Sequence, residues 1–119
     1  MITEWGRARR RVFVLGKQAL LEDLRSVAER SALDEVPVVL LSLGYPVTPA
    51  QEAVMEEAFA LADELRVRLD VQLVTRLDDL PGMLEEGDEV AVLSSGFEHL
   101  RLEWLLRERL EQREHATRF

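Results

Sequence analysis

Four short runs of β-forming residues constrain this chain more than anything else in it: Val12-Phe13-Val14-Leu15, Val38-Val39-Leu40-Leu41, Val71-Gln72-Leu73-Val74 and Val90-Ala91-Val92-Leu93. The second contains no polar residue, so it has no face suited to water. Strands of that kind are buried on both sides, as in parallel sheets covered by helices. The third alternates more, as an edge strand does. Between and after the runs lie stretches with helical spacing, and strands that alternate with helices require crossover connections. The expected fold is therefore α/β: a three-layer Rossmann-like sandwich with a four-stranded, mostly parallel sheet and helices on both faces. A single domain covers 1–119, with 1–9 and 112–119 expected to be less ordered.

The helices are marked by their spacing and their ends. Leu20, Leu24, Val27 and Ala28 form one stripe after the first strand. The second helix has the clearest start, with Thr48 as N-cap, Pro49 at the first helical position and Gln51 three residues after the cap. Its stripe runs through Val54, Ala58, Leu61, Leu65 and Leu69, widened by Met55, Phe59 and Ala62. A short helix is expected over Leu80–Glu86, capped by Asp79 and stopped by Gly87. Ser95 and Glu98 have capping-box spacing at the head of the last helix. That helix carries two apolar rows, Phe97-Leu100-Trp104 and Leu102-Leu106-Leu110.

Charge and composition narrow the function classes. A net charge of −8 argues against general nucleic-acid binding, which needs an excess of Lys and Arg. The one basic cluster, Arg7, Arg9, Arg10 and Arg11, is expected to be a solvated approach to the first strand. No cysteine is present, which removes disulfides, thiolate catalysis and cysteine-ligated metals. Two histidines alone make no zinc set, and no metal or other cofactor is expected. No apolar run of about 18 residues suggests a membrane span, and Met1 to Trp5 do not look like a secretion signal. A cytoplasmic protein is expected. Arginine dominates the basic residues, Lys17 is the only lysine and asparagine is absent. That bias fits a thermophile or a GC-rich genome.

In sheets of this type ligands bind beyond the carboxyl ends of the strands. The sequence places Gly16-Lys17, Ser42, Gly44-Tyr45 and Ser94-Ser95-Gly96 there, with His99 one turn into the last helix. The Ser94–Gly96 turn leads into a helix, so its backbone N–H groups would favour a small anion or phosphorylated ligand. Lys17 would add a positive charge. Gly16-Lys17 is not a phosphate-binding P-loop, because Gln18 stands where that motif needs a hydroxyl. Asp78-Asp79 and Glu85-Glu86 are adjacent pairs that point apart and read as caps and solvated surface. A phosphorylatable receiver domain would need acidic residues at the end of the first strand, where Leu15 and Gly16 stand.

The order of elements, with Ala62-Asp63-Glu64-Leu65, then Val71-Gln72-Leu73-Val74, then Val90-Ala91-Val92-Leu93-Ser94-Ser95-Gly96, resembles the universal stress protein family. The similarity covers roughly residues 10 to 110 and is one of pattern more than identity. It implies a cytoplasmic homodimer, and family members often bind ATP. This chain departs from the ATP-binding pattern. Leu15-Gly16 replaces an Asp after the first strand, and His99, Arg109 and Leu110 replace later members of the glycine motif that Gly96 would begin. The family's closing fifth strand has no counterpart. The resemblance therefore implies a non-ATP-binding or truncated relative.

Three functions stay open: a non-enzymatic regulatory or stress-associated binding protein, an interaction module for a larger protein, and a small enzyme acting on a phosphorylated metabolite. The enzyme needs a base with an orienting partner near the strand ends, and only His99 qualifies. A homodimer is expected through the fourth strand or the last helix, at Val90, Val92, Leu102, Trp104, Leu106 and Leu110.

Overall fold

Apolar side chains on both sides of the first two runs require cover on both sides, and the fold supplies it. The computed structural model describes residues 10–19 and 24–117, with side chains as far as Glu108. Strands β1 (Arg11–Leu15), β2 (Val38–Leu43), β3 (Leu69–Val74) and β4 (Glu89–Leu93) form one sheet in the order β3-β2-β1-β4. Every pairing is parallel. β1 and β2 lie in the middle, where continuous apolar runs belong. The more alternating β3 forms one edge, and β4 forms the other among the described residues.

Helices α1 (Leu24–Asp34) and α2 (Pro49–Leu65) cover one face, packing on Phe13, Leu15, Val38 and Leu40. The other face, built on Val12, Val14, Val39 and Leu41, is covered by α3 (Gly96–Thr117) through Leu102 and Leu106, with Leu80 and Leu84. The three-layer expectation is met. α2 begins as its sequence dictates. Thr48 Oγ1 accepts from the Gln51 backbone 3.2 Å away, and Gln51 Oε1 accepts from the Thr48 backbone at 2.9 Å. The helix ends at Leu65 with Arg66 left-handed, so Leu69 starts β3 and does not extend the helical stripe. Phe59 is exposed and takes no part in the core.

The helix expected over Leu80–Glu86 is replaced by two 3-10 turns, Leu77–Asp79 and Pro81–Met83. Pro81 donates no backbone hydrogen bond and Gly82 favours a helix poorly, so only single turns close. Leu80 and Leu84 still reach the core, which explains the apolar signal there. α3 continues to Thr117, further than its polar sequence suggests.

The basic cluster is only partly solvated. Arg7 and Arg9, like Leu20, lie outside the described residues. Arg10 donates to both carboxylate oxygens of Asp88, at 3.0 and 2.7 Å, and to the Met83 carbonyl at 3.0 Å. Arg11 pairs with Asp34 and, at 3.2 Å, with Glu89. Both side chains are largely buried and seal the amino-terminal edge of the sheet.

Candidate functional site

The strand order places a topological switch between β1 and β4. β1 is followed by chain leading towards β2, and β4 by chain leading into α3, on the opposite face. Ligand clefts of doubly wound sheets open at such a point. Here the backbone seat between the two loops is filled by a side chain of the protein itself. The Glu98 carboxylate accepts from the backbone N–H of Lys17 at 2.9 Å and of Gln18 at 2.8 Å, and from the Ser94 hydroxyl. Burial is the largest single influence on Glu98 and opposes its charge. The donors from Ser94, Gln18 and Lys17, with the nearby Lys17 charge, outweigh it and hold the carboxyl below its ordinary value.

This latch explains Gly16. A Cβ there would lie 2.5 Å from Glu98 Oε1 and 2.7 Å from Ser94 Oγ, so any larger residue would push the carboxylate out. Ser95 Oγ donates to the Gln18 carbonyl at 3.3 Å and braces the same loop. The capping box expected from Ser95 and Glu98 is therefore not what holds Glu98. Its carboxylate bridges to the β1 loop instead.

A second tie sits beside the first. Gln51 is fully buried and donates from Nε2 to the carbonyls of Leu15, at 3.2 Å, and Leu43, at 2.8 Å. It thereby joins the ends of β1 and β2 to the head of α2. Thr48 Oγ1 donates to the Lys17 carbonyl at 2.8 Å. The Lys17 backbone is thus held from both sides while its side chain is exposed.

Next to the latch a cleft of about 640 Å³ opens across the ends of β2 and β3, under the first turns of α3. That volume suits a small organic ligand. Leu43, Val74, Leu77 and Leu105 give it apolar walls, and Phe97 stands at its rim. Its cations are Lys17 and Arg101, and neither makes an ion pair within 4.0 Å among the described residues. Lys17 lies across Gly44, where a Cβ would come 3.0 Å from Lys17 Cε. Gly44 has φ +87°, so it is required both for its backbone and for the lysine's path.

The residues expected from sequence divide among several places. Lys17 and Gly44 line the cleft, whereas Gly16, Ser94 and Ser95 build and brace the latch. Gly96 opens α3 with φ +62°. Ser42 is buried inside the domain, and Tyr45 is exposed and does not line the cleft. His99 does not line it either. Its Nε2 lies 3.2 Å from Glu103, and its Nδ1 is buried without a hydrogen-bond partner. Among the described residues no cluster of His, Asp or Glu could hold a metal. Sequence reasoning missed Arg101, Phe97 and the dual role of Gln51.

Of the residues expected at a partner surface, Val92, Leu102 and Leu106 lie in the chain's own core. That corrects their assignment, because α3 needs one row to cover the sheet. Val90 is half-buried against the same core, Trp104 is exposed, and the Leu110 side chain lies outside the described residues. No helix among the described residues is long and apolar enough to cross a membrane. No family model matches the chain, and no curated protein matches it.

Proposed function

We propose that this domain is a binding protein for a small organic anion, an apolar or aromatic body with a carboxylate or phosphate head, held in the strand-end cleft. The observation that carries the reading is the pair of cations, Lys17 and Arg101, beside apolar walls in one cleft. Glu98 also lines the cavity, but its carboxylate is held by the Lys17 and Gln18 N–H groups and Ser94, so in a chain of net charge −8 the two cations leave the site net positive. Phe97 at the rim suits a flat apolar group. Binding is favoured over catalysis because His99, the one base weighed from sequence, does not line the cleft. A regulatory role, with ligand level read out through the domain, follows from binding without turnover.

A polyphosphate fits less well. The backbone donors that would cradle it are already used by Glu98. This agrees with a stress-protein-like chain that lacks the ATP-binding glycines.

Calorimetric titration tests the proposal with phenyl phosphate, inorganic phosphate and ATP. Phenyl phosphate is expected to bind with a Kd of about 0.1 to 1 mM, as ligand efficiency allows for a molecule of that size. Inorganic phosphate and ATP should bind at least tenfold more weakly. No saturable heat with phenyl phosphate or benzoate, or unchanged binding in a Lys17→Gln/Arg101→Gln variant, would overturn the proposal.

A further inference from the structure

No described strand lies beside the outer edge of β3, so the backbone on that side has no ladder partner among the described residues. Which groups face outward follows from the hydrogen bonds to β2. At one end of the ladder the Arg68 carbonyl accepts from Val38, and at the other the Val74 carbonyl accepts from Gly44. Alternate residues of a strand serve opposite neighbours, so Asp70 and Gln72 also turn their backbone to β2. Leu69, Val71 and Leu73 therefore present their N–H and C=O groups outward. Their side chains share the α2 face of the sheet, where Leu69 and Val71 pack on the core. Leu73 stays 51% exposed.

α2 widens this edge into an apolar ledge. Glu64 accepts from Arg25 of α1, which turns that flank of α2 towards α1. At about 100° per residue, Phe59 lies about 140° round from Glu64, on the flank above β3. It is 55% exposed, beside half-buried Met55 and Ala62. Open backbone next to two exposed apolar side chains is a template for an added strand. The charges select the strand. Glu52, Glu56 and Asp63 are exposed and lie within about 60° of Phe59 on its solvent side, and Asp70 borders the edge on the other face. None of these four acids makes an ion pair within 4.0 Å among the described residues. Arg66 and Arg68, at the amino end of β3, offset only part of that charge, and Arg76 is followed by Asp78 and Asp79. We infer that the β3 edge binds an extended basic segment of a partner protein, with apolar residues against Phe59 and Leu73 and basic residues beside the acids. A second copy of this chain fits badly. Pairing β3 with β3 would set Glu52, Glu56 and Asp63 of one copy against the same acids of the other.

This inference does not rest on the ligand proposed for the cleft. The probe is a peptide of about eight residues, alternating valine and lysine and blocked at both ends, the length of an ordinary strand. In hydrogen exchange on the full chain, the Val71 and Leu73 amides should exchange fast and those of Gln72 and Val74 slowly. Adding the peptide should slow Val71 and Leu73 until the effect saturates. N-methylation of every second peptide residue should weaken binding about tenfold in one frame and leave it unchanged in the other, because only one frame faces β3. A valine–glutamate peptide should bind about tenfold more weakly than the lysine peptide. Leu73→Lys should also weaken binding about tenfold, and its circular dichroism spectrum should be unchanged because the side chain is exposed. Binding that leaves Val71 and Leu73 unprotected, or that ignores methylation in both frames, would overturn the inference. So would equal binding of the glutamate peptide, or indifference to Leu73→Lys. Protection of the same amides that rises with the concentration of the chain alone would overturn it too, by making the occupant a second copy.

Discussion

The two ends of this sheet treat charge in opposite ways. At the amino-terminal edge the two arginines that lead into β1 are closed by acids. Arg10 grips Asp88 with two hydrogen bonds, and Arg11 joins Asp34 and Glu89 across β1, α1 and β4. At the carboxyl-terminal edge the arrangement is inverted. The carboxylate Glu98 is spent on backbone N–H groups, and the nearby cations Lys17 and Arg101 face an open cleft. One end converts its charges into structure, and the other leaves them available. Both ends belong to the same sheet, so the difference lies in which partner each charged group has. A protein built only for stability has no need to leave two cations facing a cavity.

The largest expected effect is at the closed end. The Asp88 side chain is nearly inaccessible, 2% exposed. Asp88→Ala removes the bidentate partner of Arg10 and leaves a largely buried cation with only the looser Glu85 contact at 3.6 Å. A loss of about 3 kcal/mol is expected in urea denaturation. A loss under about 1 kcal/mol would show that this end is less closed than its geometry implies.

The latch should matter somewhat less. Glu98→Gln replaces a charged acceptor of three hydrogen bonds with an amide whose NH₂ faces N–H donors. About 2 kcal/mol should be lost at neutral pH. The pH dependence sharpens this. The folded-state pKa of Glu98 lies below its ordinary value, so its stabilisation is fully present above about pH 4.3. It is lost as pH falls through the folded value, where the carboxyl protonates in both states. Glu98→Gln should therefore flatten the acid limb of the stability–pH curve. An unchanged limb would mean that Glu98 does not carry its charge in the latch.

The smallest effect on stability belongs to the open end. Lys17→Gln and Arg101→Gln should each change unfolding free energy by less than about 0.5 kcal/mol, because neither side chain closes an ion pair among the described residues. Ser95→Ala should cost about 0.5 kcal/mol for one long, exposed hydrogen bond. A cost above about 2 kcal/mol for Lys17→Gln would make that lysine structural and would erase the contrast between the two ends.

Legibility followed locality. β1, β2 and the start of α2 could be read because apolar runs and a Thr-Pro-x-Gln cap are signals contained within a few residues. The two 3-10 turns could not, because Leu80 and Leu84 repeat at helical spacing although Pro81 and Gly82 break the helix between them. At the site, Lys17 and Gly44 were legible from strand ends alone. Ser95-x-x-Glu98 carries the local pattern of a helix cap, while the backbone partners of Glu98 stand 80 and 81 residues away. Arg101 carries no local signal, since an arginine on the second turn of a helix usually faces water. Gln51 was half legible. It falls on the same stripe as Val54, Ala58 and Leu61, which places its side chain inside, but the two carbonyls it ties together belong to separate strands.

Nuclear magnetic resonance on protein carrying ¹³C-methylated Lys17 tests the open end most directly, since Lys17 is the only lysine in the chain. During titration with phenyl phosphate, the Lys17 methyl signal and the amides of Gly44 and Thr75 should shift together and saturate. The Arg10 and Asp88 signals at the other end of the sheet should stay in place. A Lys17 signal that does not move, or shifts that grow without saturating and appear equally at Arg10, would contradict the assignment of this cleft as the binding site.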